Sequence, residues 1–277
     1  MKNIMTIDVE DWFHILQIKN APHMSEWNNK ISLVEKNFIK LLDIFEEYDV
    51  KTTCFFLGWV AKKFPNLVKE ADSRGHEIAS HGMFHKLVYE MAPNDFFQDS
   101  SDSKKILEDI CQKEVLGYRA AGFSNTKDTP WFIEKLMDAG YSYDSSLFPK
   151  RLNHGGIDNA NFAPYKINDN FIEFPITLVN TPKGNKCFFG GGYLRHTKYE
   201  EIKEMGQKVM AEGRPIIFYI HPREIDPKHP KMFMPLVRYI KSYGYLKTTE
   251  EKLRNISKDF ELTSFREFIK NQQLLNV

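Results

Sequence analysis

Met1-Lys2-Asn3-Ile4-Met5-Thr6-Ile7-Asp8-Val9-Glu10-Asp11-Trp12-Phe13 opens the chain, and the fold turns on how this stretch is read. Residues 3–7 are short and apolar, the pattern of a buried strand. Asp8, Glu10 and Asp11 follow, where a nucleotide-binding fold would place a glycine-rich turn. A carboxylate arrives before an apolar stretch long enough for a signal peptide can form, so the segment reads as a strand and not a leader.

Outward from this strand, elements alternate along the whole chain. Residues 32–48 carry Leu33, Phe38, Leu41, Leu42 and Phe45 at helical spacing. Residues 51–57 read as a second strand. Residues 67–73 read as a helix stopped at Gly75, and 76–79 as a third strand. A long helix over 93–112 leads to a fourth strand at 115–118. Thr129-Pro130 predicts an N-cap and first residue for a helix to Ala139, with Gly140 ending it and a fifth strand at 141–143. Residues 148–170, rich in Asn, Gly and Pro, read as an extended loop before a sixth strand at 171–176. Thr197 and Glu200 form a capping-box pattern for a helix to Ala211. Residues 215–220 are the most apolar strand, 233–243 a helix ended by Gly244, and 245–248 a last strand. Ser264 and Glu267 repeat the capping box before a C-terminal helix of about 263–274.

Strands separated by helices imply right-handed crossovers and a parallel sheet. About seven such units with no phosphate loop predict an α/β fold, a distorted (β/α) barrel, in a single domain over 1–277. The triplet Gly190-Gly191-Gly192 lacks the spacing of a dinucleotide fingerprint.

Composition narrows the function. With 38 basic and 37 acidic residues the net charge is +1, which gives no field for steering toward nucleic acid. No apolar run reaches the roughly 18 residues of a membrane span. Cys54, Cys111 and Cys187 are odd in number and widely spaced, which reads as reduced thiols in a cytoplasmic protein. Composition leaves oligomerisation open.

In a parallel barrel, catalytic groups gather at the C-terminal ends of the strands. The ionisable residues there are Asp8, Glu10 and Asp11 after strand one, His81 and His85 after strand three, Arg119 after strand four, Asp144 after strand five and His221 after the 215–220 strand. His81 and His85 are four apart, so one helical turn would set both imidazoles on a single metal. Alone they would read as two surface histidines; placed after a strand and opposite an acidic cluster they read as ligands. Crowded carboxylates at a strand end repel unless a cation offsets them. Arginine after an apolar strand usually pairs with a carboxylate, and His221 in this company reads as catalytic.

These residues also carry a resemblance. Thr6-Ile7-Asp8, Ser80-His81 with His85, Arg119, the block Gly140–Pro149, Phe189–Arg195 and Phe218–Pro227 resemble, in order, the motifs of the polysaccharide deacetylases with the NodB homology domain (carbohydrate esterase family 4), most closely the branch that begins Asp-Val-Glu-Asp-Trp-Phe. The resemblance covers Thr6 to about Pro230. It implies a distorted (β/α) barrel and one divalent metal ion, zinc first, with cobalt or nickel as alternatives. It implies that Asp8 is the catalytic base, Arg119 orients it, and His221 protonates the leaving amine. Many members place two aspartates side by side in the first motif; here Val9 follows Asp8, so the metal carboxylate is Glu10 or Asp11. Glu10, two residues on and on the same face of an extended chain, is favoured. Ala120, Ala121 and Gly122 stand where many members carry prolines and a tyrosine. The substrate-binding candidates are Trp12, Gly122, Phe123, Asp144 and Tyr193, with Phe13 beside them; Asp144 orients His221 or binds substrate.

The implied reaction is hydrolysis of N-acetyl groups on an amino sugar of bacterial envelope polysaccharide or its precursor. The carbohydrate is the expected partner, with no nucleic acid and no membrane span. Two alternatives stand beside it: a metal-independent cyclic ureide or imide hydrolase on the same fold, and a non-catalytic carbohydrate-binding barrel.

Overall fold

The computed structural model describes residues 2–275. Its strands are β1 (Asn3–Val9), β2 (Thr53–Phe56), β3 (Glu77–Ser80), β4 (Gly117–Tyr118), β5 (Tyr143–Asp144), β6 (Tyr165–Asn168), β7 (Phe171–Glu173), β8 (Leu178–Thr181), β9 (Gly184–Cys187), β10 (Ile217–Ile220) and β11 (Leu262–Thr263). One curled sheet runs in the order β10-β1-β2-β3-β4-β5-β7-β6, with β11 beside the start of β1. Every pairing in it is parallel except β6 with β7. Parallel neighbours need crossovers. These are α1 (Val34–Glu46), then α2 (Gly58–Lys63) with α3 (Pro65–Ser73), then α4 (Pro93–Cys111) and α5 (Phe132–Asp138), and before β10 α6 (Gly191–His196) and α7 (Tyr199–Ala211). The chain finishes through α8 (Leu236–Tyr243), α9 (Thr249–Asp259) and α10 (Phe265–Asn271).

Alternation along the strands sets two faces. Met5, Ile7 and Val9 of β1, Cys54 and Phe56 of β2, and Phe218 and Ile220 of β10 pack outward with Phe38, Leu41, Leu42 and Phe45 of α1. Ile4, Phe55, Ala79, Tyr143, Ile172, Ile217 and Tyr219 pack inside the curl. The N-terminal mouth is plugged by α10. Phe265 lies with its ring 4.8 Å from Phe174 and 5.0 Å from Tyr143, and its N–H donates to Thr53 Oγ1 at 2.8 Å. Ser264 caps this helix by accepting from the Glu267 N–H, as its spacing predicts.

The curl is a half-barrel. No strand pairing joins β7 to β10; the segment between them bridges the gap. Ile217 N–H donates to Thr177 Oγ1 at 2.8 Å, and Tyr219 N–H donates to the Phe189 carbonyl at 3.1 Å.

Four local expectations are corrected. Residues 245–248 form no strand: Leu246–Thr248 is a 3-10 turn leading into α9. Thr129 does not cap α5, which starts after Trp131; its hydroxyl accepts instead from the Thr126 N–H. Thr197 does not cap α7; its hydroxyl donates to the Tyr193 carbonyl at the end of α6. The 148–170 loop ends in a strand, β6, and the β8–β9 hairpin follows where none is expected.

Candidate active site

The inward-facing positions continue past the strand ends. Ile4, Thr6 and Asp8 share one face of β1, and Glu10 is the next residue of that parity; Ala79 leads to His81, Gly117 to Arg119, and Tyr219 to His221. Period-two geometry thus delivers two carboxylates, two imidazoles and a guanidinium to one end of the curl.

Asp8 and Arg119 form a buried ion pair. Arg119 is fully buried, its Nη1 donates to Asp8 Oδ1 and to Thr6 Oγ1, both at 2.7 Å, and its guanidinium lies 4.2 Å over the Phe55 ring. Nε and Nη2 donate to the carbonyl and hydroxyl of Ser145, both at 3.1 Å. Burial raises the Asp8 pKa, but the neighbouring positive charge, that of Arg119 first, outweighs it and holds the carboxyl below its ordinary value.

Glu10, His81 and His85 converge, each offering one ligand atom, with all three atoms within 4.8 Å of one another. His81 Nδ1 donates to the Arg119 carbonyl at 2.7 Å, which fixes the tautomer and turns a lone pair on Nε2 to the cluster. Burial lowers the His81 pKa to about 4, so the ring is neutral, as a ligand must be. Glu10 Oε2 and His85 Nε2 stand 2.8 Å apart, yet that oxygen is buried with no hydrogen-bond partner. Two ligand atoms aimed at a common point, not at each other, give this geometry. The histidines are not on a helical turn, as their spacing had suggested. Gly82 and His85, at φ +75° and +53°, bend the chain so that both rings return to one point.

Asp11 turns away from the cluster. Its Oδ1 accepts from the Trp12 N–H at 2.9 Å and the Leu33 N–H at 3.2 Å, and Oδ2 accepts from the Ser32 hydroxyl, so it ties down the start of α1. Burial raises its pKa. His14, which the sequence reading missed, is buried beside the cluster. Its Nδ1 accepts from the Asp11 N–H at 3.0 Å, its ring centre is 6.1 Å from that of His85, and its Nε2 has no partner.

His221 Nε2 sits 3.8 Å from Asp8 Oδ2 and 4.0 Å from Glu10 Oε1. Its side chain is 19 % exposed, against 3 % for Asp8 and 5 % for Glu10, so the open side of the site is at His221. Nδ1 faces Glu224 Oε2 at 2.9 Å, and the buried Glu224 accepts from Arg195 Nε at 2.7 Å. Arg195 is in turn bonded to the carbonyls of Lys241 and Gly244. Burial pulls the His221 pKa down, but Glu224 and the two site carboxylates more than offset it. Glu224 and Arg195 were not anticipated as functional. The available signal was glutamate three residues after His221, the capping-box spacing that the 3-10 turn Pro222–Ile225 adopts.

Asp144 therefore does not orient His221, and it does not line an open groove. It is fully buried, accepting from the Ser146 hydroxyl at 2.5 Å and the Ser146 N–H at 3.0 Å, and burial raises its pKa and that of neighbouring Glu173. The same Ser146 hydroxyl accepts the Ala120 N–H at 2.7 Å, so that amide is not free for an oxyanion.

The remaining substrate candidates separate. Phe13 packs among His14, Trp27 and Trp59 in the core. Trp12 is half-buried and its indole N–H donates to the Ile31 carbonyl at 3.0 Å. Gly122, at φ +59°, passes so close to Leu16 that a Cβ would lie 2.8 Å from Leu16 Cδ1. Phe123 belongs to an aromatic wall that runs from His221 through Tyr219, Phe123 and Phe148 to Tyr193, with ring centres 5.1–6.2 Å apart. Tyr193 is the exposed end of this wall, at 43 %. A separate cavity of about 190 Å³ lies at the opposite end of β3, lined by Asp72, His76, Glu77, Lys113 and Arg266, and holds none of these groups.

Known proteins match in two blocks. Residues 30–143 match the family described as polysaccharide deacetylase, and residues 145–270 match a domain of unknown function, DUF3473. His81, His85 and Arg119 fall in the first block, His221 and Glu224 in the second, and Asp8 and Glu10 before both. A peptidoglycan-N-acetylglucosamine deacetylase of Bacillus cereus is 29 % identical over 102 residues, 37 % of this chain and 46 % of that protein. The chain thus spans less than half the length of this curated relative. A putative polysaccharide deacetylase from Mycobacterium smegmatis superposes with a TM-score of 0.61 at 17 % identity, covering 100 % of this chain and 93 % of that one. The PuuE allantoinase does so at 0.64 and 16 %, covering 99 % and 90 %. At such identities the two structures establish the shared fold.

Proposed function

We propose that the chain hydrolyses the N-acetyl amide of an amino sugar, a reading supported by the match of residues 30–143 to the polysaccharide deacetylase family. Asp8, Arg119 and His221 would carry the proton transfers, and Glu10, His81 and His85 would hold one divalent ion. One observation carries the reading: the ligand cluster and the Asp8–Arg119 pair meet at His221, the only member of the set whose ring is open to a substrate.

The donor set fits the ion. Two imidazole nitrogens and one carboxylate oxygen, with a buried oxygen left unpartnered, suit zinc with a place open for water; cobalt and nickel accept similar ligands. Bound there, the ion would polarise the carbonyl and acidify water. The chain's own residues do the rest. Arg119 keeps Asp8 ionised, so Asp8 can take a proton from the attacking water as its oxygen bonds to the acetyl carbon. Glu224 accepts from His221 Nδ1, which leaves Nε2–H to protonate the departing amine as the C–N bond breaks. Acetate and the free amino sugar result. Tyr193, exposed at the end of the aromatic wall, offers a face for a sugar ring.

The test is acetate release from chitooligosaccharides and from nucleotide-linked N-acetyl sugars, with zinc-loaded protein and with Asp8→Asn. Release by the native chain and its loss in the variant, at unchanged metal content, is the expected result. Turnover of a cyclic ureide by metal-free protein, with no acetate from any sugar, would overturn the proposal.

A further inference from the structure

Eleven large apolar side chains are exposed among the described residues, and five of them crowd into positions 233–245. They are Phe233 (84 % exposed), Leu236 (72 %), Val237 (67 %), Ile240 and Tyr245. Leu236, Val237 and Ile240 share one face of α8, and Phe233 stands one turn before them. The opposite face is already satisfied: Tyr239 and Tyr243 pack against Ile15, Met232, Met234 and Leu246. A helix in that position needs only a polar outer face, and α8 presents an aliphatic one.

The surroundings of this face are basic. Between residues 226 and 248 the only acidic residue is Asp226, and it is buried. Lys228, Lys231, Lys241 and Lys247 are all exposed, and none forms an ion pair among the described residues. Lys241 directly follows Ile240 on the exposed arc of the helix. Apolar side chains beside unpaired lysines are complementary to an anionic lipid surface, where the first enter the headgroup boundary and the second meet phosphates.

We propose that this face docks on the surface of an anionic bilayer. Charge argues for lipid over a second copy of the chain. A two-fold dimer sets one patch against itself, which would bring two unneutralised lysine clusters together. The face is also joined to the site. Arg195 Nη1 and Nη2 hold the Gly244 and Lys241 carbonyls at 2.7 and 2.9 Å, while its Nε holds Glu224, the partner of His221. The proposal rests on exposure and charge, and stands whatever bond the site cleaves.

The experiment is sedimentation of the full chain with vesicles of phosphatidylcholine alone and of phosphatidylcholine with phosphatidylglycerol. Binding to the anionic vesicles only, weakened by salt, is expected. Each of Lys231→Gln and Lys241→Gln should weaken it roughly fivefold. Phe233→Ser with Leu236→Ser should abolish it; both side chains are exposed, and an unchanged unfolding curve would confirm that the fold is kept. Equal binding to both vesicles, or binding to neither, would overturn the proposal. So would a concentration-dependent dimer that the double variant dissociates, since that would assign the face to a second copy.

Discussion

Glu10 and Asp11 are adjacent carboxylates with different partners, and the difference can be read out separately. Glu10 continues the inward parity of β1 and ends with a buried, unpartnered oxygen 2.8 Å from His85. Asp11 faces the other way and accepts from Ser32, Trp12 and Leu33. Glu10→Ala is expected to abolish bound metal by elemental analysis. Asp11→Ala is expected to keep the metal and to lose about 1–3 kcal/mol of stability in urea unfolding, because buried donors at the start of α1 lose their acceptor. The reverse pattern would exchange their roles. Spacing alone could not make this choice; strand parity favours Glu10, but only the turn into α1 shows what Asp11 does instead. Glu224 is a second residue with a specific signature. Burial lowers the His221 pKa, yet Glu224 and the site carboxylates leave it raised. A raised imidazole contributes stability that is complete below its ordinary value of 6.5 and is lost as pH rises through the raised value. The protonated ring needed by a general acid is likewise kept to higher pH. In zinc-loaded protein, Glu224→Gln should move the alkaline limb of acetate release to lower pH and cut kcat roughly 10²–10⁴-fold. An unmoved limb would show that Glu224 serves the fold and not His221.

At the scale of elements, the sheet was legible and several of its attachments were not. Seven of the eight parallel strands of the curl carry a short apolar run bounded by turn residues and were anticipated within a few positions; β11, two residues long, was not. The last helix before β11 was missed because it is mostly charged: Leu253 and Ile256 are its fully buried apolar residues, and they are too few to show a period. The β8–β9 hairpin was missed because it carries two strands of four residues with mixed polarity. The turn that joins His81 to His85 was misread as helical, since four-residue spacing is also reached by a bend with two left-handed residues. That bend is testable. Gly82 lies at φ +75°, and a Cβ there would stand 2.9 Å from Asp99 Oδ2, the oxygen that accepts the Met83 N–H. Gly82→Ala should cost about 1–3 kcal/mol of stability and weaken metal binding, read by thermal unfolding and zinc titration. An alanine variant of native stability and affinity would mean that the turn does not position the ligands. The open seam makes a parallel case. Thr177→Val keeps the shape but removes the acceptor of the buried Ile217 N–H, which should cost about 1–3 kcal/mol.

At the scale of the whole molecule, the site is assembled from distant parts of the chain that only folding brings together. Asp8 and Glu10 come from the first strand, His81 and His85 from the third strand end, Arg119 from the fourth, and His221 from the strand on the other side of β1. The legibility of this set follows from the same geometry: a parallel curl must bring its C-terminal strand ends together, so ionisable residues at those positions can be collected from sequence. The support behind them is legible only in part: Glu224 stands at capping-box spacing from His221, but Arg195 and the carbonyls it holds lie at helix ends that obey no period. Assembly from several segments also has a thermodynamic consequence. An ion held by Glu10, His81 and His85 would bind the folded chain and find no such site in the unfolded one, so it would stabilise the fold by mass action. At about 100 times its dissociation constant the gain is about 2.7 kcal/mol. For a chain of this size each kcal/mol moves Tm by about 2–4 °C, so chelation should lower Tm by roughly 5–10 °C. Re-addition of zinc should restore it. His81→Ala and Glu10→Ala should unfold at a temperature that neither chelator nor zinc changes, whereas Asp8→Asn should keep the full metal-dependent shift, because Asp8 is paired with Arg119 and lies outside the ligand set. A native chain indifferent to chelator, with no zinc taken up on titration, would remove the ion from the site and with it the hydrolytic reading of Glu10, His81 and His85.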